Sequence, residues 1–160
     1  MQLTLFSDYS LRILLYLAAH RGERIALPEI SAAYGISQHH LVKVVQRLIE
    51  EGWVESTRGR GGGLTLACEP AAINVGTVVR ATEPHLNLVE CFDSVSNTCP
   101  IDGACGLKRA LARARDAFFE ELERHTLADF APKAPALIKL WKQQLDVDGT
   151  RPTPAQARKT

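Results

Sequence analysis

The chain has 160 residues, 46% apolar and 23% charged, with a formal net charge of +1. That is one ordinary soluble domain with enough length to bury a core, and the balance excludes both a disordered chain and a polycation that holds nucleic acid by its overall field. No apolar run approaches the roughly 20 residues that span a bilayer, and the opening stretch MQLTLFSDYS lacks the basic segment and cleavage site of a secretion signal, so a cytoplasmic protein with no membrane partner is expected.

Net charge conceals an uneven distribution. Residues 1–67 carry seven Lys/Arg against six Asp/Glu, 68–105 carry one against five, and 106–160 carry eleven against seven. An acidic middle stretch therefore separates two mildly basic ones.

In chain order, residues 7–21 read as a helix, with Ser7 or Asp8 available as its cap, Leu11, Leu14, Leu15 and Ala18 at helical spacing, and Gly22 as the stop. LPEISAAY predicts a second, short helix with Pro28 in its first turn and Ile30 and Ala33 facing inward. After the break at Gly35, Ser37 is a natural N-cap for a third helix, QHHLVKVVQRLIEE, closed by Gly52. Its apolar stripe is Leu41, Val44, Val45 and Leu48.

Two short helices joined by a glycine turn predict a helix-turn-helix, although plain helical bundles contain such pairs too. The stretch WVESTRGRGGGLTLAC shifts the balance. It reads as strand, glycine-rich turn and strand, the hairpin wing that follows a recognition helix, with Arg58, Arg60 and glycines including Gly61 and Gly62 at its tip. The tip lacks the lysine and following helix of a phosphate-binding P-loop, so contact with a DNA backbone or minor groove is the better assignment. On the third helix, Ser37, Gln38, His39, Lys43, Gln46 and Arg47 lie away from the core stripe, where they could donate to phosphates and base edges. A solvated polar face is the ordinary alternative.

PAAINVGTVVRATEP predicts a short helix capped near Asn74 and ended by Pro84. GLKRALARARDAFFEELERHTL is the longest periodic segment, with Leu107, Leu111, Ala114, Phe118 and Leu122 on one face. A helix of that length beyond a small domain needs a surface to cover it; a second copy is the simplest, and packing back on its own domain is the alternative. The division expected is a winged helix-turn-helix domain over 1–83, a loop over 84–105, a dimerisation helix and helical segment over 106–145, and a disordered tail over 146–160.

That loop holds Cys91, Cys99 and Cys105, with seven and then five intervening residues. A disulfide with a spare thiol is disfavoured by the expected compartment. A redox-sensing pair needs fewer thiols, and a structural zinc site favours closer cysteine knuckles than these. An iron–sulfur cluster on a flexible loop suits the longer spacings. Cys68, His85 or a carboxylate could complete the set, and an oxygen ligand, weak on iron, would leave one iron open to a small molecule. No Ser/His/Asp set or carboxylate pair marks an enzyme.

Taken together, the helix-turn-helix, the RGRGGGLTL wing, the three-cysteine loop and the long helix resemble the Rrf2 family of winged-helix regulators over about residues 1–130. The segments HHLVKVVQRL, VVRATEPHLNLVECF, CPIDGACGLKRAL and TLADF are similar to its nitric-oxide-sensing repressors. The resemblance implies a homodimer on double-stranded operator DNA, released when nitric oxide attacks an iron–sulfur cluster, 4Fe–4S in preference to 2Fe–2S. It implies Cys91, Cys99 and Cys105 as ligands from one subunit and Asp8 from the other, a role placed ahead of a helix cap, which Ser7 or Asp8 could fill equally. The family's cluster-assembly regulators are the nearest rival, but their histidine ligand soon after the last cysteine is absent, since Gly106, Leu107 and Lys108 follow here. A zinc-stabilised DNA-binding protein without sensing is the other.

Overall fold

A computed structural model describes residues 2–148. Helices α1 (Leu5–Ala19), α2 (Leu27–Tyr34) and α3 (Gln38–Glu50) are followed by strands β1 (Val54–Thr57) and β2 (Gly63–Leu66). Helices α4 (Val75–Thr82), α5 (Gly106–Glu123) and α6 (Ala134–Asp148) complete the chain, with single-turn helices between them. The fold is mainly α with a two-stranded antiparallel wing, the winged helix-turn-helix class that the sequence predicts.

Helix α1 starts earlier than its apolar spacing suggests, and its cap is neither Ser7 nor Asp8. Thr4 Oγ1 accepts the Ser7 N–H at 3.2 Å. Ser7 lies wholly inside, where a core position rather than a cap claims its hydroxyl. Asp8 occupies the first turn, where its charge favours the helix dipole.

Helix α2 matches its predicted span, and Gly35 closes it in the left-handed conformation, φ 62°. Ser37 stands at the N-cap of α3, yet its hydroxyl makes no capping hydrogen bond. Glu51 is the C-cap, and Gly52 follows it at φ 74°. Leu41, Val44, Val45 and Leu48 are buried as the stripe requires, against Ile13, Leu14 and Leu17 of α1 and Ile30 of α2.

The wing pairs Val54 with Leu66 and Ser56 with Leu64. Leu64 also exchanges backbone hydrogen bonds with Ile25 in both directions, at 2.8 and 3.0 Å, fixing the hairpin to the chain before α2. Its turn explains the glycine run: Gly59 and Gly61 have positive φ, and a Cβ on Gly62 would fall 2.2 Å from the Thr57 carbonyl oxygen.

Asn74 caps α4 by accepting the Thr77 N–H at 3.0 Å, as predicted, and donates to the Glu123 carbonyl at the end of α5 at 2.6 Å. The two helices approach closely at Gly76, where a Cβ would meet Glu123 Cγ at 2.4 Å. Arg80 pairs with Glu123 at 2.7 Å and covers the Phe119 ring at 4.1 Å. Phe119 is the single buried residue of α5. Leu107 is 66% exposed, Ala114 is exposed, and Leu111, Phe118 and Leu122 are half-covered. Two of the five stripe residues are therefore open and the other three only partly covered by the described residues.

Helix α6 returns to the first two helices. Trp141, 8% exposed, packs on Tyr16 at 4.6 Å and Tyr34 at 5.6 Å between ring centroids. Burial pushes the Tyr16 and Tyr34 hydroxyls up from the usual phenol range, helped at Tyr16 by a 3.0 Å hydrogen bond to Glu29. Helix α6 runs to Asp148, past the residue-145 boundary expected from sequence, and the rest of the expected tail lies outside the described residues.

Candidate metal centre and nucleic-acid interface

The loop between α4 and α5 is built from short turns rather than regular structure. Glu90 accepts from both the backbone N–H and the hydroxyl of Thr98, each at 2.7 Å, and these bonds hold its carboxyl below the usual range. Asp93 is likewise held low, by the Val95 N–H and the Ser96 hydroxyl. Asn97 Oδ1 accepts the Cys99 N–H at 3.1 Å, and the Cys99 carbonyl accepts the Asp102 N–H at 3.3 Å. The loop thus gains its shape from its own polar side chains.

All four cysteines are free thiols and half-buried. Cys105 is the N-cap of α5, and its Sγ accepts the Lys108 N–H at 3.4 Å. Lys108 Nζ meets Asp102 at 2.6 Å. That bond raises the ammonium pKa, and the nearby Cys91 and Cys105 add to the rise. An open hollow of about 440 Å³ is lined by Cys91, Phe92, Asp102, Lys108, Arg109 and Arg115, with Arg115 over the Phe92 ring at 5.0 Å. The first turns of α5 therefore set cations against the cysteine loop. Sequence reading missed these cations, although the spacing of Lys108, Ala112 and Arg115 places them on one helical face.

Among the described residues no three Cys, His, Asp or Glu side chains converge closely enough to hold a metal ion. The donor chemistry nonetheless fits an iron–sulfur cluster. It offers three unoxidised thiols on one irregular segment, a helix N-terminus at Cys105, and cations that line the same hollow as Cys91. Cys68 stands apart. It packs against the core, and burial, with Glu69 beside it, pushes its thiol up.

Asp8 engages Arg12 one turn further along α1. Its Oδ1 accepts from Arg12 Nε at 2.9 Å and its Oδ2 lies 2.8 Å from Nη2. Within one chain its carboxylate is thus committed to Arg12 and not to the cysteine loop.

The polar face of α3 is open: Ser37, Gln38, His39, Lys43 and Gln46 are all exposed, as are Arg58, Arg60 and Gly61 at the wing tip, with Gly62 half-covered. Among the described residues Lys43, Arg58 and Arg60 have no carboxylate partner. Arg47 differs. Its Nη2 lies 2.7 Å from Glu51 and donates to the Ala81 carbonyl at 3.2 Å, while Nη1 lies 3.9 Å from Glu50. It faces α4 rather than the exposed polar face.

A polar chain joins α1 to the end of α4, from which the loop departs. Thr82 Oγ1 is hydrogen-bonded to Ser7 Oγ at 2.9 Å, and Glu83 accepts from Thr4 N–H at 2.8 Å and Thr4 Oγ1 at 3.0 Å. The end of α4 is so fixed to the start of α1. Isolated Ser and Thr in apolar runs carry no signal of such a pairing across 75 positions.

Comparison with known proteins agrees with this architecture. The Rrf2 family, described as iron-dependent transcriptional regulators, matches residues 3–133. The chain is 46% identical to the HTH-type transcriptional regulator NsrR of Bacillus subtilis over 145 residues, 90% of this chain and 99% of that protein. It is 44% identical to NsrR of Geobacillus kaustophilus over the same shares. Among solved structures, CymR, the global cysteine regulator of B. subtilis, superposes with a TM-score of 0.66 at 32% identity over 82% of this chain and 97% of that one. IscR of T. potens gives 0.66 at 28% identity over 84% and 88%. Among the described residues no helix is long and apolar enough to cross a membrane. The chain belongs to the Rrf2 family of iron-dependent transcriptional regulators, with NsrR-like proteins among its relatives, and is a regulator rather than an enzyme.

Proposed function

We propose that the chain is a cytoplasmic nitric-oxide-responsive repressor that binds operator DNA as a homodimer and releases it when an iron–sulfur cluster is attacked. The observation that carries this reading is the placement of three free thiols between a DNA-reading unit and a long helix with an open apolar face. The likeness to NsrR proteins supports the nature of the signal. Cys91, Cys99 and Cys105 would hold the cluster, taken as 4Fe–4S rather than 2Fe–2S, and Asp8 of the second copy would complete it. Such a cluster would supply iron to which a small molecule such as nitric oxide could bind.

The chain's own residues do the rest. Lys108 and Arg115 line the hollow beside the loop, and Cys105 stands at a helix N-terminus, whose dipole favours negative charge. The α5 stripe of Leu107, Leu111, Ala114, Phe118 and Leu122 joins two copies, so that two recognition helices meet two half-sites. Ser37, Gln38, His39, Lys43 and Gln46 face the groove, while Arg58, Arg60, Gly61 and Gly62 approach the flanking backbone. Arg47 drops out of that set, because it is committed to α4. Asp8 must leave Arg12 to act as a ligand, so ligation competes with one exposed ion pair worth about 0–1 kcal/mol.

Anaerobically purified protein tests the reading directly. A brown colour, acid-labile sulfide and loss of operator binding on titration with nitric oxide are expected. Colourless, zinc-containing protein, or full DNA affinity after complete reaction with nitric oxide, would overturn it.

A further inference from the structure

Arg47 belongs to the recognition helix by sequence and to α4 by contact. Its guanidinium reaches the Ala81 carbonyl at 3.2 Å, one of the last carbonyls of α4, which have no donor within their own helix. The same Nη2 lies 2.7 Å from Glu51 at the end of α3. Three consecutive residues therefore tie the end of α4 to other elements: Ala81 to α3, Thr82 to Ser7 inside α1, and Glu83 to Thr4 at the α1 cap.

The chain then turns at Pro84, and Cys91 follows eight positions after Glu83. The intervening Leu86, Asn87 and Leu88 line a small cavity of about 90 Å³ with Leu3, Phe118 and Phe119, so this stretch is held against the N-terminal arm and α5. The cysteine loop is therefore joined to residues 81–83 by a short segment, half-buried over 86–89. Of those three residues' ties, Arg47 is the one that ends on the recognition helix.

We propose that Arg47 is a positioning residue, coupling the state of the cysteine loop to the orientation of α3 through the Ala81 carbonyl. This inference rests on the function proposed above. The planar guanidinium can serve the carbonyl and the Glu51 carboxylate together, which a lysine ammonium on a flexible stem does not reproduce in a fixed geometry. Arg47→Lys keeps the charge that a phosphate contact would need and removes that fork; Arg47→Ala removes both.

The test compares operator affinity of cluster-loaded and cluster-free protein for wild type and both variants, each over a range of salt concentrations. Amide hydrogen exchange of the cluster-free forms supplies a readout independent of the cluster. In both variants the loaded-to-free affinity ratio should fall about tenfold, within the usual range of coupling between sites. The salt dependence of binding should stay at the wild-type slope, and exchange at residues 81–83 and at the end of α3 should rise. A retained ratio with a salt slope lower by about one would make Arg47 a phosphate contact and overturn the proposal. A retained ratio and slope with a lower melting temperature in both forms would reduce Arg47 to a structural role and overturn it equally. Should Arg47→Ala not fold, Arg47→Lys carries the comparison alone. A wild-type ratio of one would sink the proposed function itself, and this inference with it, whereas a large wild-type ratio left intact in the variants sinks only the inference.

Discussion

Thr82 shows how much of the linkage between α1 and α4 rests on single side chains. Its hydroxyl is buried and shared between Ser7 Oγ at 2.9 Å and the Val78 carbonyl at 2.8 Å. Thr82→Val keeps the volume and leaves the buried Ser7 hydroxyl with Thr4 alone, at 3.2 Å. A loss of about 0.5–1.5 kcal/mol in chemical denaturation is expected, the net worth of one hydrogen bond, because Ser7 keeps its Thr4 partner. The cysteines separate by the same kind of local reasoning. Cys68 packs on the core with its thiol pushed up by burial, so Cys68→Ala should leave the visible absorption of anaerobically purified protein unchanged. Serine at Cys91, Cys99 or Cys105 should abolish that absorption. Loss of colour in the Cys68 variant would show that the loop does not hold the cluster with a ligand from Asp8.

Between elements, α4 and α5 approach closely at Gly76. Gly76 has no room for a methyl group, because Glu123 Cγ and its backbone nitrogen would lie 2.4 and 2.9 Å from it. Gly76→Ala must push α5 away or disturb the Arg80–Glu123 pair, and overpacking of this kind costs about 1–3 kcal/mol. Thermal denaturation should show a lower midpoint for Gly76→Ala and little change for Gly103→Ala, where a Cβ meets nothing within 4 Å. The wing behaves differently, as its tip is exposed and its arginines are unpaired among the described residues. Arg60→Ala should leave stability unchanged, weaken binding to all DNA sequences alike and lower the salt slope by about one.

At the scale of the whole molecule, the proposed dimer would cover the exposed side of α5 with a second copy. Ala114 is exposed in the single chain, so Ala114→Glu costs the monomer fold little. In a helix pair it would place a carboxylate in an apolar seam. Sedimentation should show a monomer with unchanged circular dichroism, together with weak operator binding, since both half-sites must dock together for full affinity. A dimeric Ala114→Glu protein would place the interface elsewhere.

The amino-acid sequence by itself determined the order of elements and the class of fold. Apolar spacing, Pro28, Gly35 and Asn74 act within a few residues, and helices α2, α3 and α4 lie where those local signals place them. It also presented the three cysteines and the open side of α5, because spacing along a chain survives folding. It misjudged the α1 cap, where Thr4 rather than Ser7 or Asp8 serves, since Ser7 is claimed by a partner 75 positions away. Only the tertiary structure decided that Arg47 donates to the Ala81 carbonyl, that Lys108 and Arg115 line a hollow with Cys91, and that Trp141 brings α6 back onto Tyr16. Those contacts join residues far apart in the chain. Their identities carry no local propensity, so their roles are set by which surfaces meet when the apolar faces are buried.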